Sequence, residues 1–278
     1  MISAEKEKVA ALTVKGAAKG AAKDAAAGDR SPAAARPRIK VEGLTKRFAK
    51  TLAVDDIDFD IPAGSFTALL GGNGAGKTTT IAMLLGLVSP TAGNIEILGH
   101  DLARTPAAAL AQMNFQSPYV DLPRRLTVRQ NLNVYGRLYG VLALKDRIAE
   151  LADALDLEGL LDRPLGELSA GQRTRAGLAK AFINRPQVVL LDEPTASLDP
   201  DTADWVRSYL AKYAREASAT FLIASHNMLE VERLCDQVLM MRTGRIVDRG
   251  SPKALLSKYG RSTLEEVFLD IARAGRAP

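Results

Sequence analysis

Residues 71–78 read Gly-Gly-Asn-Gly-Ala-Gly-Lys-Thr, a complete G-x-x-x-x-G-K-[ST] string. An apolar run, 66–70, precedes it, and a helix-like stretch, 79–87, comes after it. Strand, glycine-rich turn and helix in that order are the context the string requires, and they commit this part of the chain to an α/β unit. Glycines let the backbone adopt positive φ and come close to phosphate oxygens. Successive N–H groups and the helix N-terminus then supply partial positive charge. On this reading Gly71, Gly72, Asn73, Gly74, Ala75 and Gly76 cradle phosphates, together with Thr79 at the helix start. Lys77 reaches the β- and γ-phosphates, and the Thr78 hydroxyl ligates Mg²⁺. Nucleotide binding is the expectation; what the nucleotide drives is the open question.

The surrounding pattern extends the α/β reading. Residues 39–42 and 57–61 alternate apolar and polar, as half-buried antiparallel strands do. Residues 62–64 turn the chain into the strand before the loop; residues 91–94 read as a further turn, and 95–98 as another alternating strand. From about 107 to 166 the period becomes helical, with Leu132, Val134, Tyr135 and Leu138 in one segment and Ile148, Leu151, Ala152 and Leu155 in the next. This predicts a helical insert within an α/β core. Residues 188–191 are continuously apolar, as in a strand covered on both faces. Asp199-Pro200 starts a helix by cap and first-turn proline, and residues 220–224 and 238–241 are two more buried strands. Strands alternating with helices argue a parallel, doubly wound sheet. Residues 262–265, Ser-Thr-Leu-Glu, have capping-box form, and behind them Leu264, Val267, Phe268 and Ile271 make the apolar face of a terminal helix within 256–278.

Charge and composition bound the function classes. With 278 residues, 47% apolar and 25% charged, the chain can build a sizeable core. No apolar run reaches the ~18 residues of a spanning helix, so none is expected to cross a membrane. A single cysteine, Cys235, excludes an internal disulfide and fits a reducing cytoplasm. Residues 1–40 hold nine Lys/Arg and four Asp/Glu, the whole of the +5 net charge, so the remaining residues balance. The segment 1–37, rich in Ala, Lys and Gly, is expected to be a disordered, solvated tail; a nucleic-acid or membrane-surface arm is the alternative.

Four further places carry candidate chemistry. Asp192 and Glu193 end the apolar strand, where a carboxylate near a phosphate loop can hold Mg²⁺ and its neighbour can deprotonate an attacking water; taken alone they are an acidic turn. His226 comes after the next strand, and strand ends on one edge of such a sheet converge on one crevice; an isolated histidine there is as well explained by a cap or by core packing. Gln116, before Ser117-Pro118 in a loop opening the insert, can reach the metal or the water, or simply be solvated. Residues 168–172, Leu-Ser-Ala-Gly-Gln, offer a second anion site at a helix N-terminus, or an ordinary Ser cap.

Taken in order, Gly71 to Thr78, Gln116, residues 168–172, 188–193, Ser197-Leu198-Asp199 and His226 resemble the motif series of an ATP-binding-cassette (ABC) ATPase: Walker A, Q-loop, signature, Walker B, D-loop and switch histidine. The resemblance covers about residues 38–250. It implies a P-loop NTPase sheet core with an antiparallel β subdomain and an inserted helical subdomain, in an ATPase domain spanning 38–255. It also implies ATP and Mg²⁺ as ligands, with Thr78, Gln116 and Asp192 at the metal and Glu193, His226 and Gln116 catalytic. In that family two copies pair head to tail. Ser169, Gly171 and Gln172 would then act on the nucleotide of the other copy, with Asp199 at the interface, while Phe48 stacks on adenine. Two positions depart from the common pattern, Ala170 for glycine and Phe48 for tyrosine. Residues 264–269, Leu-Glu-Glu-Val-Phe-Leu, are similar to the end of exporter cassettes for drugs and polysaccharides.

The resemblance implies the energy-coupling subunit of a membrane exporter. It would lie on the cytoplasmic face, driving a separate membrane-spanning permease, with a second copy of the chain completing a homodimer and nucleic acid not a partner. The alternative is a soluble ABC ATPase acting on nucleic acid or ribosomes through the basic tail. A GTPase is disfavoured because no Asn-Lys-x-Asp motif occurs.

Overall fold

The computed structural model describes residues 36–117, 122–196 and 198–273. Most of the expected basic tail, Ser197 and the last residues of the terminal segment lie outside the described residues. The strands β1 (Ile39–Phe48) and β2 (Thr51–Ile61) form an antiparallel hairpin, and β3 (Phe66–Gly71) runs into the glycine loop and helix α1 (Lys77–Leu84). Next come β4 (Ala92–Ile97), β5 (His100–Asp101), α2 (Pro106–Leu110) and β6 (Met113–Gln116). Helices α3 (Val128–Leu138), α4 (Leu144–Ala154) and α5 (Ala170–Phe182) lead to β7 (Val188–Asp192). The chain closes with α6 (Pro200–Ala217), β8 (Thr220–Ser225), α7 (Met228–Leu234), β9 (Gln237–Arg242), β10 (Arg245–Gly250), α8 (Pro252–Tyr259) and α9 (Leu264–Arg273).

Two sheets result. One is four-stranded and antiparallel, in the order β2-β1-β4-β5; the other is six-stranded, in the order β10-β9-β3-β8-β7-β6. In the larger sheet β9, β3, β8, β7 and β6 are parallel, and only the edge strand β10 runs antiparallel. Successive residues of a strand face opposite sides, and the central strands are apolar on both. From β7, Val189 and Leu191 join the helical side, packed with Phe182, Phe221 and Leu210, whereas Val188 and Leu190 face Ile39, Phe59 and Ile97 of the antiparallel sheet. This double cover is why residues 188–191 are uninterruptedly apolar.

The sequence expectations stand up in outline and differ in detail. Residues 92–94, read as a turn, belong to β4: Asn94 pairs with Glu42 and Ala92 with Thr45 across a register shift. The stretch 113–116, read as part of the helical insert, is the edge strand β6, with Gln116 opposite Leu191. Four residues bonded along one side only leave too short a pattern to separate from helix. In α3 Leu132 is buried, but Val134 and Leu138 are 47% and 75% exposed, so part of the expected apolar stripe faces outward. The capping box at the last helix lies one residue later than expected. Glu266 N donates to Thr263 Oγ1, and the Glu266 carboxylate accepts from the N–H groups of Thr263 and Ser262. Helix α8 was unforeseen, although Ser251-Pro252 carries the same cap-and-proline signal as Asp199-Pro200.

Phe182 joins the helical layer to the sheet. It is fully buried on α5, with its ring centroid 4.2 Å from Tyr213 and 6.5 Å from Phe221, while Phe221 stacks on Phe66 at 4.4 Å. Replacing Phe182 with Ala should cost about 3–5 kcal/mol, read as a lower urea midpoint at an unchanged denaturant slope.

Candidate functional site

Parallel pairing brings the chemistry together. Leu70 is level with Ser225, Ala224 with Asp192, and Leu191 with Gln116, so β3, β8, β7 and β6 end side by side on one edge. In that spatial order the strand ends deliver the phosphate loop, His226, Asp192 with Glu193, and Gln116 with Ser117. Strand ends that share an edge form a crevice where ligands bind.

The loop is built for close backbone approach. Gly76 caps α1 at φ 107°, and a Cβ there would fall 2.7 Å from the Ala53 carbonyl oxygen, so only glycine fits. Ala75 N donates to Gly72 O at 3.1 Å, and Ala75 O accepts from Gly244 N at 2.9 Å, tying the loop to the β9–β10 turn. Gly72, Asn73, Gly74 and Thr78 are exposed, Gly71 and Ala75 are buried, and Thr79 is half-buried. Lys77 Nζ donates to the carbonyls of Gly71, at 2.6 Å, and Gly72, at 3.3 Å. Burial holds the ammonium below the ordinary lysine range, while Glu193 and Asp192 pull it back up.

The carboxylates lie opposite. Burial holds the Asp192 carboxyl above its usual range, reinforced by Glu193 and opposed by Lys77 and by a hydrogen bond with Ser117. Glu193 takes a left-handed conformation, φ 52°, anchored by its N–H donating to Ala224 O at 2.8 Å. Such a geometry in a residue with a Cβ costs of order 1–3 kcal/mol and persists only where the surroundings enforce it. His226 Nδ1 lies 2.6 Å from Glu193 Oε1. An ionised carboxylate only accepts, so with Glu193 charged Nδ1 carries the proton. Two adjacent carboxylates facing one ammonium leave an excess of negative charge, and with the Thr78 hydroxyl they supply the hard oxygen donors that suit Mg²⁺.

The other expected residues sit farther along the surface. Gln116 ends β6, but its amide lies flat on Gly177 of α5: a Cβ on Gly177 would be 2.5 Å from Gln116 Nε2 and 2.8 Å from its Oε1. Exposed Ser169 caps α5 by accepting from Gln172 N at 3.2 Å, and Gln172 Oε1 accepts from Ser169 N at 2.9 Å. The side chain of Gln172 therefore closes a capping box. Gly171 abuts Thr202, whose N–H donates to Asp199 at the start of α6, so the signature segment and the D-loop meet within one chain. Phe48 is 45% exposed at the end of β1, with Lys46 Nζ 4.9 Å from its ring centroid.

Two supporting residues were missed. Ser117, beside the Asp192 carboxyl, was named only as the neighbour of Gln116, and nothing local distinguishes it. Glu230, fully buried on α7, accepts from Ser225 and Thr195. Its signal was present: Asn227 with glutamate three residues later has capping-box form.

The family described as ABC transporter matches residues 54–196. The Nod factor export ATP-binding protein I of Rhizobium sp. (strain N33) is 36% identical over 232 residues, covering 83% of this chain and 76% of that protein. Among solved structures, cbiO1 from Clostridium perfringens, described as part of the ABC transporter complex cbiONQ, superposes with a TM-score of 0.72 at 29% identity, covering 86% of this chain and 98% of that one. A dimeric, post-hydrolysis structure of the ATP-binding cassette MJ0796 with ADP and Pi has a TM-score of 0.69 at 21% identity, over 77% and 98% of the two chains, a likeness of fold. With the family model over residues 54–196 and a relative 36% identical over most of both chains, the chain belongs to the ABC transporter family and carries its ATP-binding domain.

Proposed function

We propose that this chain is the ATP-hydrolysing subunit of an ABC exporter and drives a separate membrane-spanning permease. The observation that carries this reading is the 2.6 Å contact between Glu193 and His226 beside the Lys77 loop. Glu193 takes the proton of the attacking water as general base. His226, oriented through Nδ1, presents its other ring nitrogen for the γ-phosphate. Lys77 and the loop N–H groups hold the β- and γ-phosphates, and Phe48 stacks on the adenine. Thr78 and Asp192 would hold Mg²⁺, with Gln116 joining them once its amide leaves Gly177, and the ion would supply positive charge to the phosphates. The export direction rests on the named relative and on the Leu264–Leu269 segment.

A second copy completes the site. Ser169 and Asp199 are both exposed on the surface next to Gly171, as required of groups that act on the nucleotide of a partner. A cassette of similar fold is described as dimeric in a post-hydrolysis state. Lys77→Ala should weaken ATP binding more than tenfold in a fluorescent-nucleotide titration, since a charge-assisted contact is worth about 1.5–3 kcal/mol. Glu193→Gln should keep ATP affinity and lose turnover by roughly 100-fold or more, trapping a dimer seen as a doubled mass in light scattering. Normal turnover in Glu193→Gln refutes the base assignment.

The permease has a receiving surface. Among the described residues no helix is long and apolar enough to cross a membrane, so on this reading the path comes from another chain. A groove of about 440 Å³ is lined by Leu85, Leu87, Leu110, Phe115, Leu138 and Tyr139, with Leu87 and Leu138 each 75% exposed. Its wall includes Met113 to Phe115 of β6, the strand that delivers Gln116. A short cytoplasmic helix of the permease in this groove would press on the route to the γ-phosphate. It would hold the chain peripherally on the inner membrane face. Leu138→Asp should leave the ATPase rate of the isolated chain within about twofold, as surface substitutions do, and abolish co-purification with the permease from membranes.

A further inference from the structure

Glu230 is fully buried, and its carboxylate does not do what its position in α7 offers. Asn227 caps the helix by accepting from Glu230 N at 3.3 Å. A glutamate three residues beyond a cap ordinarily returns to the N–H of the cap residue. Here that N–H donates to Ser225 Oγ at 3.0 Å instead. The Glu230 carboxylate turns inward: Oε2 accepts from Ser225 Oγ at 2.7 Å, and Oε1 accepts from Thr195 Oγ1 at 3.0 Å.

These two hydroxyls flank the chemistry. Ser225 immediately precedes His226, and Thr195 lies two residues after Glu193. One buried carboxylate thus joins, from beneath, the two segments whose tips meet in the His226–Glu193 contact. The Glu193 segment needs such a restraint, because its backbone is left-handed at a residue with a Cβ. Burying a carboxylate is costly in itself. Burial, and after it Glu193, raises the Glu230 carboxyl above its usual range, against Ser225, Thr195 and Arg207, which lower it. A well-packed apolar residue would avoid that cost, so fold stability alone does not account for an acid here.

We propose that Glu230 is a positioning residue for ATP hydrolysis, holding Glu193 and His226 in register by clamping Thr195 and Ser225. The proposal rests on the catalytic roles of Glu193 and His226 in the proposed function. It predicts a loss confined to the chemical step, because among the described residues the side-chain hydrogen bonds of the clamp run between Glu230, Thr195, Ser225 and Asn227 and none reaches the phosphate loop. Small displacements of a catalytic pair suffice for large rate losses.

The test compares Glu230→Ala, Glu230→Gln, Thr195→Val and Ser225→Ala in the full chain. Each is measured for kcat per folded molecule, for Mg·ATP affinity and for melting temperature. Glu230→Ala should lower kcat roughly 10- to 100-fold with affinity within about twofold of the parent. Glu230→Gln, which keeps one acceptor, should fall between. Thr195→Val and Ser225→Ala should each lower kcat, and neither should add its full effect to Glu230→Ala, as expected of groups acting as one unit. These two single-hydroxyl variants decide the matter if Glu230→Ala fails to fold. A lowered melting temperature with kcat kept within about twofold, or fully additive losses, overturns the proposal. Turnover retained by Glu193→Gln removes the reading on which the proposal stands; turnover lost there but retained by Glu230→Ala overturns the proposal alone.

Discussion

Parallel pairing of four strands, in the order β3-β8-β7-β6, is the constraint on which the rest depends. Because the strands run the same way, their C-terminal ends share one edge, and each delivers a different group to it. A single register slip would move Asp192 away from Ala224 and turn the apolar faces of β7 to the wrong layers. The double hydrophobic cover prevents this: Val189 and Leu191 are claimed by the helices, Val188 and Leu190 by the antiparallel sheet. The same packing that stabilises the sheet therefore aligns the site.

The edge is electrostatically unbalanced. Among the described residues Lys77 is the cation that favours ionised Asp192, whereas burial and Glu193 both oppose its ionisation. A site held in this way favours further positive charge, which suits a metal-bound nucleotide. It also depends on backbone supports, from the Glu193 N–H on Ala224 O to the Lys77 ammonium on Gly71 O.

Helix α5 spans the distance between two surfaces. Its N-terminus carries Ser169 and Gly171, its middle seats the Gln116 amide on Gly177, and near its end Lys180 Nζ donates to Phe115 O at 3.0 Å and to Asn114 Oδ1 at 2.9 Å. Burial brings the Lys180 ammonium down to about 8. The helix is thus fastened along β6, under the groove on one side and beside the signature segment on the other. On the proposed reading, Lys180 and Gly177 of this helix link the groove to Phe115 and Gln116.

Much of this was legible in the amino-acid sequence because the signals are local. The string 71–78, the continuous apolar run 188–191 and the pair Asp199-Pro200 each specify their own backbone, and all three adopted it. Elements held by distant partners were not legible. Strand β6 has four residues and β5 two, and Ala92 to Asn94 are extended because β1 lies beside them. Burial was also decided at a distance, since Leu138 has the period of a core residue yet lies exposed. Lys77 was readable from its own string and Asp192 with Glu193 from their strand end, whereas His226 took its meaning from the order of the motifs. Their meeting required strand register, and so did the use of Glu230 between Thr195 and Ser225. The reason is physical: a cap or a glycine turn is satisfied within a few residues, whereas a buried carboxylate takes its meaning from whichever hydroxyls the packed strands bring to it.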